Sequence, residues 1–491
     1  MTAVIQKAKN GENTALLENI FIHSNYNPSK EAERFVANLK IPYIPQNIVI
    51  SEPGLSYIIP FFRNLYPMAK IGAIRYIPDF SNYNENFDFI INFYEFNSSS
   101  EFENYLFNFF GEEKLLLTYF CKWDATSKQL QSIDFSVWSC IKNSMEKAKT
   151  LLITRQYFEK KWLLNSVNFI SNIEQTALPE KKIETPVIII SSGPSLIPFI
   201  EIIKQNQTKF FIICLSSAIS VCIKNNIHPD LCLSTDGGYW AGQHLKKIDK
   251  TDTILALSSE SYCPKKILNQ SIVLPLDYED GISTKLLKDS GLKCFSAKRN
   301  GTVSGTALEL ALSLSSSDIF FFGLDLANQK GFQHTQPNEL DINSCISFNK
   351  INNSEKRYVV SEYSKSSLEI YLKWFQDFQP KERKIYRVIN QNNKKNTLGK
   401  IKDIEIDFLK NYISKIKDSK ENNYFKVETT QKKIYSLKAI LPQFLADSEL
   451  KKQLYPLDFI QYHHENNNEI LKKIDDKHND LQKKIWAMIN E

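Results

Sequence analysis

The chain has 491 residues, 42% hydrophobic and 12% aromatic, which is more than one ordinary core absorbs and far from a disordered composition, so two or three globular domains are expected. Its 61 basic residues face 55 acidic ones, a formal net charge of +6, which excludes the basic footprint of a nucleic-acid binder. No apolar window reaches the ~18 residues of a membrane span, and the start, MTAVIQKAKN, lacks the charged-then-apolar order of a signal peptide.

In chain order, Ile44–Ser51, Ile71–Ile77 and Phe87–Phe93 read as strands separated by helical stretches, predicting a small α/β domain over residues 1–135. Inside it, ISEPGL (Ile50–Leu55) puts one glycine and one acid behind a strand, which reads as a structural turn rather than a dinucleotide-binding one. Residues 136–184 read as a helical connector, with Trp138, Tyr157, Phe158 and Trp162 at helix-compatible spacing and assigned to the core.

From 185 to 404, apolar runs recur at Val187–Ile190, Phe210–Leu215, Leu231–Leu233, Ile254–Leu257, Ile272–Leu276 and Ile319–Phe322, with helical or loop lengths between them. That order predicts a Rossmann-like α/β domain, a mostly parallel sheet with helices on both faces. Ligands of such sheets lie beyond the carboxyl ends of the strands. The residues after the first run are Ser191-Ser192-Gly193-Pro194-Ser195, followed by an amphipathic helical pattern. Gly193 allows close backbone approach, Pro194 suits a first helical turn, and Ser195 can satisfy an orphan amide there, so this turn suits an anion. Ser216 and Ser217 follow the second run, and Ser234-Thr235-Asp236-Gly237-Gly238 follows the third. Asn300-Gly301-Thr302-Val303-Ser304-Gly305-Thr306 opens a helix to about Leu314, a second set of amides and hydroxyls for an anion, and the last run ends in Gly323-Leu324-Asp325-Leu326. Residues 405–491 are rich in Lys, Glu, Asn and Leu and read as helical. Ile470–Ile489 forms an amphipathic helix that packs on its own domain or recognises a partner helix.

The eight cysteines, Cys121, Cys140, Cys214, Cys222, Cys232, Cys263, Cys294 and Cys345, form no CxxC pair and several sit in apolar runs, which points to thiols in a reducing cytoplasm. Lys181-Lys182 and Lys394-Lys395 read as solvated surface. The adjacent pair His463-His464 does not put two ligands on one helix face, and no metal site is expected. His23, His228, His244 and His478 carry no pattern that singles them out for chemistry.

SSGPSL, CLSSAIS, STDGG, GTVSGTALELALSL and FFFGLDLANQKGFQHT follow one another in an order that resembles the motility accessory factor family of flagellin glycosyltransferases. That family's central domain is similar to bacterial sialyltransferases of glycosyltransferase family 42 and to archaeal MptE-like pterin diphosphokinases. FIHSNYNPSKEAERFV (Phe21–Val36) resembles the family's first-domain signature, and Ile385–Ile404 resembles its segment closing the central domain. The resemblance implies a cytoplasmic, metal-independent transferase without a further cofactor. It would carry a nonulosonic acid from its cytidine monophosphate donor to serine or threonine of flagellin. It implies that Gly193, Pro194, Ser195 and Ser216 line the nucleotide side, that Thr302, Ser304, Gly305 and Thr306 meet the phosphate or acidic sugar, and that Thr235 and Asp236 lie near the donor. Ser192 replaces the asparagine that the sialyltransferases have before Gly-Pro-Ser. His334 is the general-base candidate and Asp325 its companion. A pterin diphosphokinase would need magnesium on clustered carboxylates, for which this edge offers mainly Asp236 and Asp325. A flagellin-binding chaperone without turnover is the non-enzymatic alternative.

Overall fold

The computed structural model describes residues 2–248, 252–327, 332–341, 349–351, 362–380, 382–390, 397–416, 423–430 and 433–490, without the side chains of 362–367 and 433–435. Cys345, Lys394 and Lys395 lie outside the described residues. The chain divides into two compact units, Met1–Glu159 with Ser448–Leu481, and Lys160–Asp447 with Gln482–Glu491. This division differs from the four segments of the sequence reading because the expected connector is one continuous helix, Gln131–Asn172, shared by both units. Its aromatics do not all enter a core. Trp138 is partly buried and donates from Nε1 to Ser51 Oγ, whereas Tyr157 is 71% exposed. A 42-residue helix turns its faces in and out of cover, so spacing alone overcounts core positions.

The first unit begins with an antiparallel meander of β1 (Val4–Lys7), β2 (Asn13–Leu17) and β3 (Ile20–Phe21). It continues with β4 (Asn47–Ser51), β5 (Lys70–Arg75), β6 (Phe89–Asn92) and β7 (Thr118–Lys122), a parallel sheet in the order β6-β5-β4-β7. The Phe21–Val36 motif is structural here. Asn27 caps the helix Pro28–Asn38 by accepting from Lys30 N, and the Glu31 carboxylate reaches back to accept from Ser24 N. Strand order reverses at β4, yet its carboxyl end is filled from within the unit. Glu52 accepts from Arg75 Nη1 at 2.9 Å and Tyr76 N at 2.7 Å, and Arg75 donates further to Asn84, Gly54, Ser56 and Tyr83. The Ile50–Leu55 segment is therefore built as a structural turn around a saturated buried ion pair.

The second unit holds β8 (Gln175–Pro179), β9 (Val187–Ile190), β10 (Phe211–Leu215), β11 (Leu231–Ser234), β12 (Ile254–Ser258), β13 (Ile272–Asp277), β14 (Phe295–Ser296), β15 (Ile319–Phe322), β16 (Ile385–Val388), β17 (Lys402–Ile404) and β18 (Phe425–Thr429). The sheet runs β17-β16-β15-β9-β10-β11-β12-β13-β8-β18, with β14 on β13, and among its described strands only the β18–β8 pair is antiparallel. β9 through β13 and β15 are almost wholly buried because both faces are covered, which is why they appear as unbroken apolar runs. Val187, Ile189, Ile213 and Leu233 share one core with Ala307, Leu308, Ala311 and Leu314 of the helix Val303–Leu314. β18 lies in the region expected to be helical. Its alternating Phe425-Lys426-Val427-Glu428-Thr429 suits an edge strand with one wet face. From β9 the chain progresses through β10 to β13 on one side, and returns as β15 to β17 on the other. β9 and β15 thus flank a topological switch point, where open parallel sheets bind ligands.

Candidate active site

The switch point is built by two glycines. Gly193 N donates to Gly323 O at 2.9 Å and Ser191 N donates to Phe322 O at 2.8 Å, tying the ends of β9 and β15 together. A Cβ on Gly193 would overlap the Gly323 carbonyl and the Asp325 carboxylate. Gly323 sits at φ +69°, and a Cβ there would overlap the Ser191 carbonyl. This close approach delivers Asp325 Oδ2 to Ser195 N, 3.1 Å away. Ser195 is not the capping residue anticipated from sequence, because Gly193 holds that position and no side chain caps the turn. The helical pattern resolves into a 3-10 turn, Pro194–Phe199, and a short helix, Ile200–Gln205. Pro198 has no N–H to donate, which limits regular helix at that point.

The second turn lies against the first. Ser191 Oγ is 3.5 Å from Ser304 Oγ, bringing the end of β9 to the start of the helix Val303–Leu314. Thr302 occupies the N-cap without a side-chain hydrogen bond. Ser304, Gly305 and Thr306 are buried, and Gly305 is closely packed: a Cβ there would stand 3.0–3.1 Å from Asn300, Thr302 and Trp374. The Asn300 side-chain amide nitrogen is buried without a hydrogen-bond partner among the described residues. A twelve-residue helix directs its first amides and positive dipole end at this point.

Residues 332–341 cross the same edge. Thr335 donates from N to Ser192 O at 2.7 Å and from Oγ1 to Gly193 O at 2.8 Å, and Asn338 Nδ2 donates to Ser217 O at 2.9 Å. Ser217 Oγ donates to Ser192 Oγ at 2.9 Å, linking the ends of β9 and β10, while Ser216 opens the adjoining 3-10 turn Ser216–Ala218. His334 is thereby carried next to the Gly-Pro-Ser turn, its side chain 30% exposed and its Nδ1 3.9 Å from Asp341 Oδ2. Asp341 also accepts from Gln336 Nε2 at 3.0 Å.

The other end of the edge is closed. Asp236 is exposed and accepts from Gly238 N at 2.9 Å, a local turn bond, while its carbonyl receives Tyr262 N. Arg299 makes a two-pronged pair with Glu260 at 2.8 and 2.9 Å and a bond to Asp280 at 2.9 Å, and it lies over the Tyr278 and Trp162 rings. Burial opposes the guanidinium charge, but the Glu260 and Asp280 hydrogen bonds outweigh it and hold its pKa above the ordinary value. Asn165 Nδ2 donates to both Gly237 O and Glu260 O. Thr235 and Asp236 thus belong to this separate corner, whereas Gly193, Pro194, Ser195, Ser304, Asp325 and the segment bearing His334 meet at the switch point; Thr302, Gly305 and Thr306 share Ser304's helix start, with Thr306 Oγ1 donating to Lys298 O, and Ser216 opens the turn after β10. The sequence reading missed Glu260, Arg299 and Tyr278. Glu260 lies two residues beyond the end of β12, so inspecting the residues after each apolar run would have found it, and Arg299 immediately precedes the Asn300-Gly301-Thr302 motif.

The family model described as "6-hydroxymethylpterin diphosphokinase MptE-like" matches residues 160–331, which contain both turns and the switch point. This stretch of the central domain is thus similar to the MptE-like family. The MAf glycosyltransferase from Magnetospirillum magneticum AMB-1 is similar over 100% of this chain and 89% of its own, with a TM-score of 0.56 and 13% identity, so the Maf-type fold accommodates the MptE-like domain. An uncharacterized protein of Treponema pallidum (strain Nichols) is 28% identical over 293 residues, 58% of this chain. The matched stretch spans 63% of that relative's length. Among the described residues, no helix is long and apolar enough to cross a membrane.

Proposed function

We propose that this protein is a cytoplasmic glycosyltransferase that moves a nonulosonic acid from its cytidine monophosphate donor to serine or threonine hydroxyls of flagellin. The observation that carries the reading is the meeting of the Gly-Pro-Ser turn with the start of the helix Val303–Leu314 at the switch point, joined through Ser191 and Ser304 beneath a segment that bears His334. Because the Ser195 amide is already engaged by Asp325, the donor phosphate is assigned to the first amides and hydroxyls of the helix Val303–Leu314, with Gly193, Pro194 and Ser216 along the nucleotide. The acceptor oxygen attacks the anomeric carbon and the bond from that carbon to the phosphate oxygen breaks. The electron pair leaves with cytidine monophosphate, and the hydroxyl proton passes to His334. Asp341 stands where it steadies the imidazolium that results. Charge growing on the departing phosphate meets fixed amides and hydroxyls rather than water that must reorganise.

The likeness to a glycosyltransferase supports this reading at the level of fold, and the MptE-like match keeps a pterin diphosphokinase as the second reading. Against the second, Glu260 and Asp280 are engaged by Arg299 and Asp325 by the Ser195 amide, which leaves the exposed Asp236 apart from any carboxylate cluster among the described residues. Calorimetric titration with cytidine monophosphate and, separately, with ATP and magnesium tests the choice. The transferase reading expects cytidine monophosphate to bind and Ser304→Ala to weaken it several-fold. Binding of ATP with magnesium alone would move the assignment to the kinase, and tight flagellin binding without affinity for either nucleotide would move it to a chaperone.

A further inference from the structure

The segment 332–341 is held by an unusual balance of forces. Its fully buried residues, Thr335, Asn338 and Asp341, are all polar, while its apolar Phe332, Pro337 and Leu340 are only partly buried, so directional bonds carry much of its seat on the strand ends. Between Asn338 and Leu340 lies Glu339, whose side chain is 11% exposed. Oε2 lies 3.0 Å from His244 Nδ1, while Oε1 accepts from Ser220 Oγ and lies 3.8 Å from Lys247 Nζ. Ser220 belongs to the helix Ile219–Lys224 after β10 and His244 to the helix Tyr239–Leu245 after β11. The last of these is itself fixed, because Gly242 is in such close contact with the Tyr262 ring that no Cβ fits between them.

We propose that Glu339 is a positioning residue, clasping the segment 332–341 to the helices after β10 and β11 and so holding His334 over the Gly-Pro-Ser turn. The clasp stands on the contacts themselves, and its catalytic consequence rests on the reading of His334 as the base. Bonds to a charged acceptor are the strong ones in such a set, and burial, which would raise the Glu339 pKa, is overcome by the His244 and Ser220 hydrogen bonds that lower it. Without Glu339 the segment keeps the Thr335 and Asn338 bonds to the turns but loses its tie to both helices.

Hydrogen exchange followed by mass spectrometry, on the full chain and on Glu339→Ala and Glu339→Gln variants, tests the clasp without any substrate. Glu339→Ala should exchange at least tenfold faster within 332–341, with the amides of β9 and β10 unchanged. Glu339→Gln, which keeps one acceptor oxygen but replaces the other with an uncharged donor, should recover part of the protection. Equal exchange in all three proteins, or faster exchange throughout the unit, overturns the proposal. In a flagellin transfer assay Glu339→Ala should lower kcat at least tenfold and leave cytidine monophosphate affinity within threefold. Loss of affinity in the same proportion as kcat would make Glu339 merely structural. A parent protein that transfers nothing would instead sink the transferase reading, and the exchange result would still decide the clasp.

Discussion

Lowering the pH from 7 to 5 should weaken the first unit chiefly through one deeply buried imidazole, that of His23. His23 is 2% exposed, its Nε2 accepts from Leu55 N at 2.9 Å, and its ring lies 5.2 Å from that of Trp123 and 5.6 Å from that of Tyr57. Burial, with the Arg75 charge adding to it, pushes its pKa down from 6.5 to about 3. The folded unit therefore holds the neutral ring, while the unfolded chain takes up a proton below pH 6.5. Stability is complete above 6.5 and falls by about 1.4 kcal/mol for each pH unit below it, reaching a loss of about 2 kcal/mol at pH 5 and levelling near pH 3. A protonated ring also could no longer accept from Leu55. Hydrogen exchange of the segment containing Leu55, compared at pH 7 and 5 after correction for intrinsic rates, reads this directly. The parent should lose protection by roughly 30-fold, since about 1.4 kcal/mol is a factor of ten, and His23→Gln should lack that pH-dependent component. A parent whose protection is flat across this range, or a variant with the same slope, refutes the assignment.

Three further outcomes follow from the second unit. Gly323→Ala forces a side chain to φ +69° and onto the Ser191 carbonyl, so it should cost more than about 2 kcal/mol in urea unfolding and abolish nucleotide binding; a loss below half of that would refute the close approach of β9 and β15. Asp325→Ala frees the Ser195 amide, so inorganic phosphate should bind at least threefold tighter in calorimetry, and unchanged affinity would show that the carboxylate does not occupy an anion's place. Glu260→Gln removes one charged partner of the Arg299 pair and should cost about 2 kcal/mol in thermal unfolding with cytidine monophosphate affinity unchanged; a large loss of affinity would bring that corner into the site.

The central strands were legible because burial on both faces leaves no polar interruption. Val187–Ile190 and Ile319–Phe322 were read at their observed limits, and the helix to Leu314 was read because its Gly-rich start and apolar body coincide. β7, β16 and β18 were not read, since Thr118–Lys122, Ile385–Val388 and Phe425–Thr429 are short and carry polar or charged residues among the apolar ones. The site was legible as loops but not as contacts. Asp325 meets an amide 130 residues away, Arg299 meets Glu260 across 39, and Glu339 meets Ser220 across 119 and His244 across 95. Such pairs are set by strand order, and strand order is decided by which faces the helices cover rather than by any local pattern. The same limit explains Ser195, a cap by residue type that the fold supplies with a distant carboxylate instead.

The most direct measurement is the intact mass of flagellin from cells with and without this protein, with a strain complemented by Ser304→Ala alongside. The account expects flagellin to lose sugar-sized increments in the deletion and to regain few of them with the variant. Flagellin of identical mass in all of these strains would contradict it.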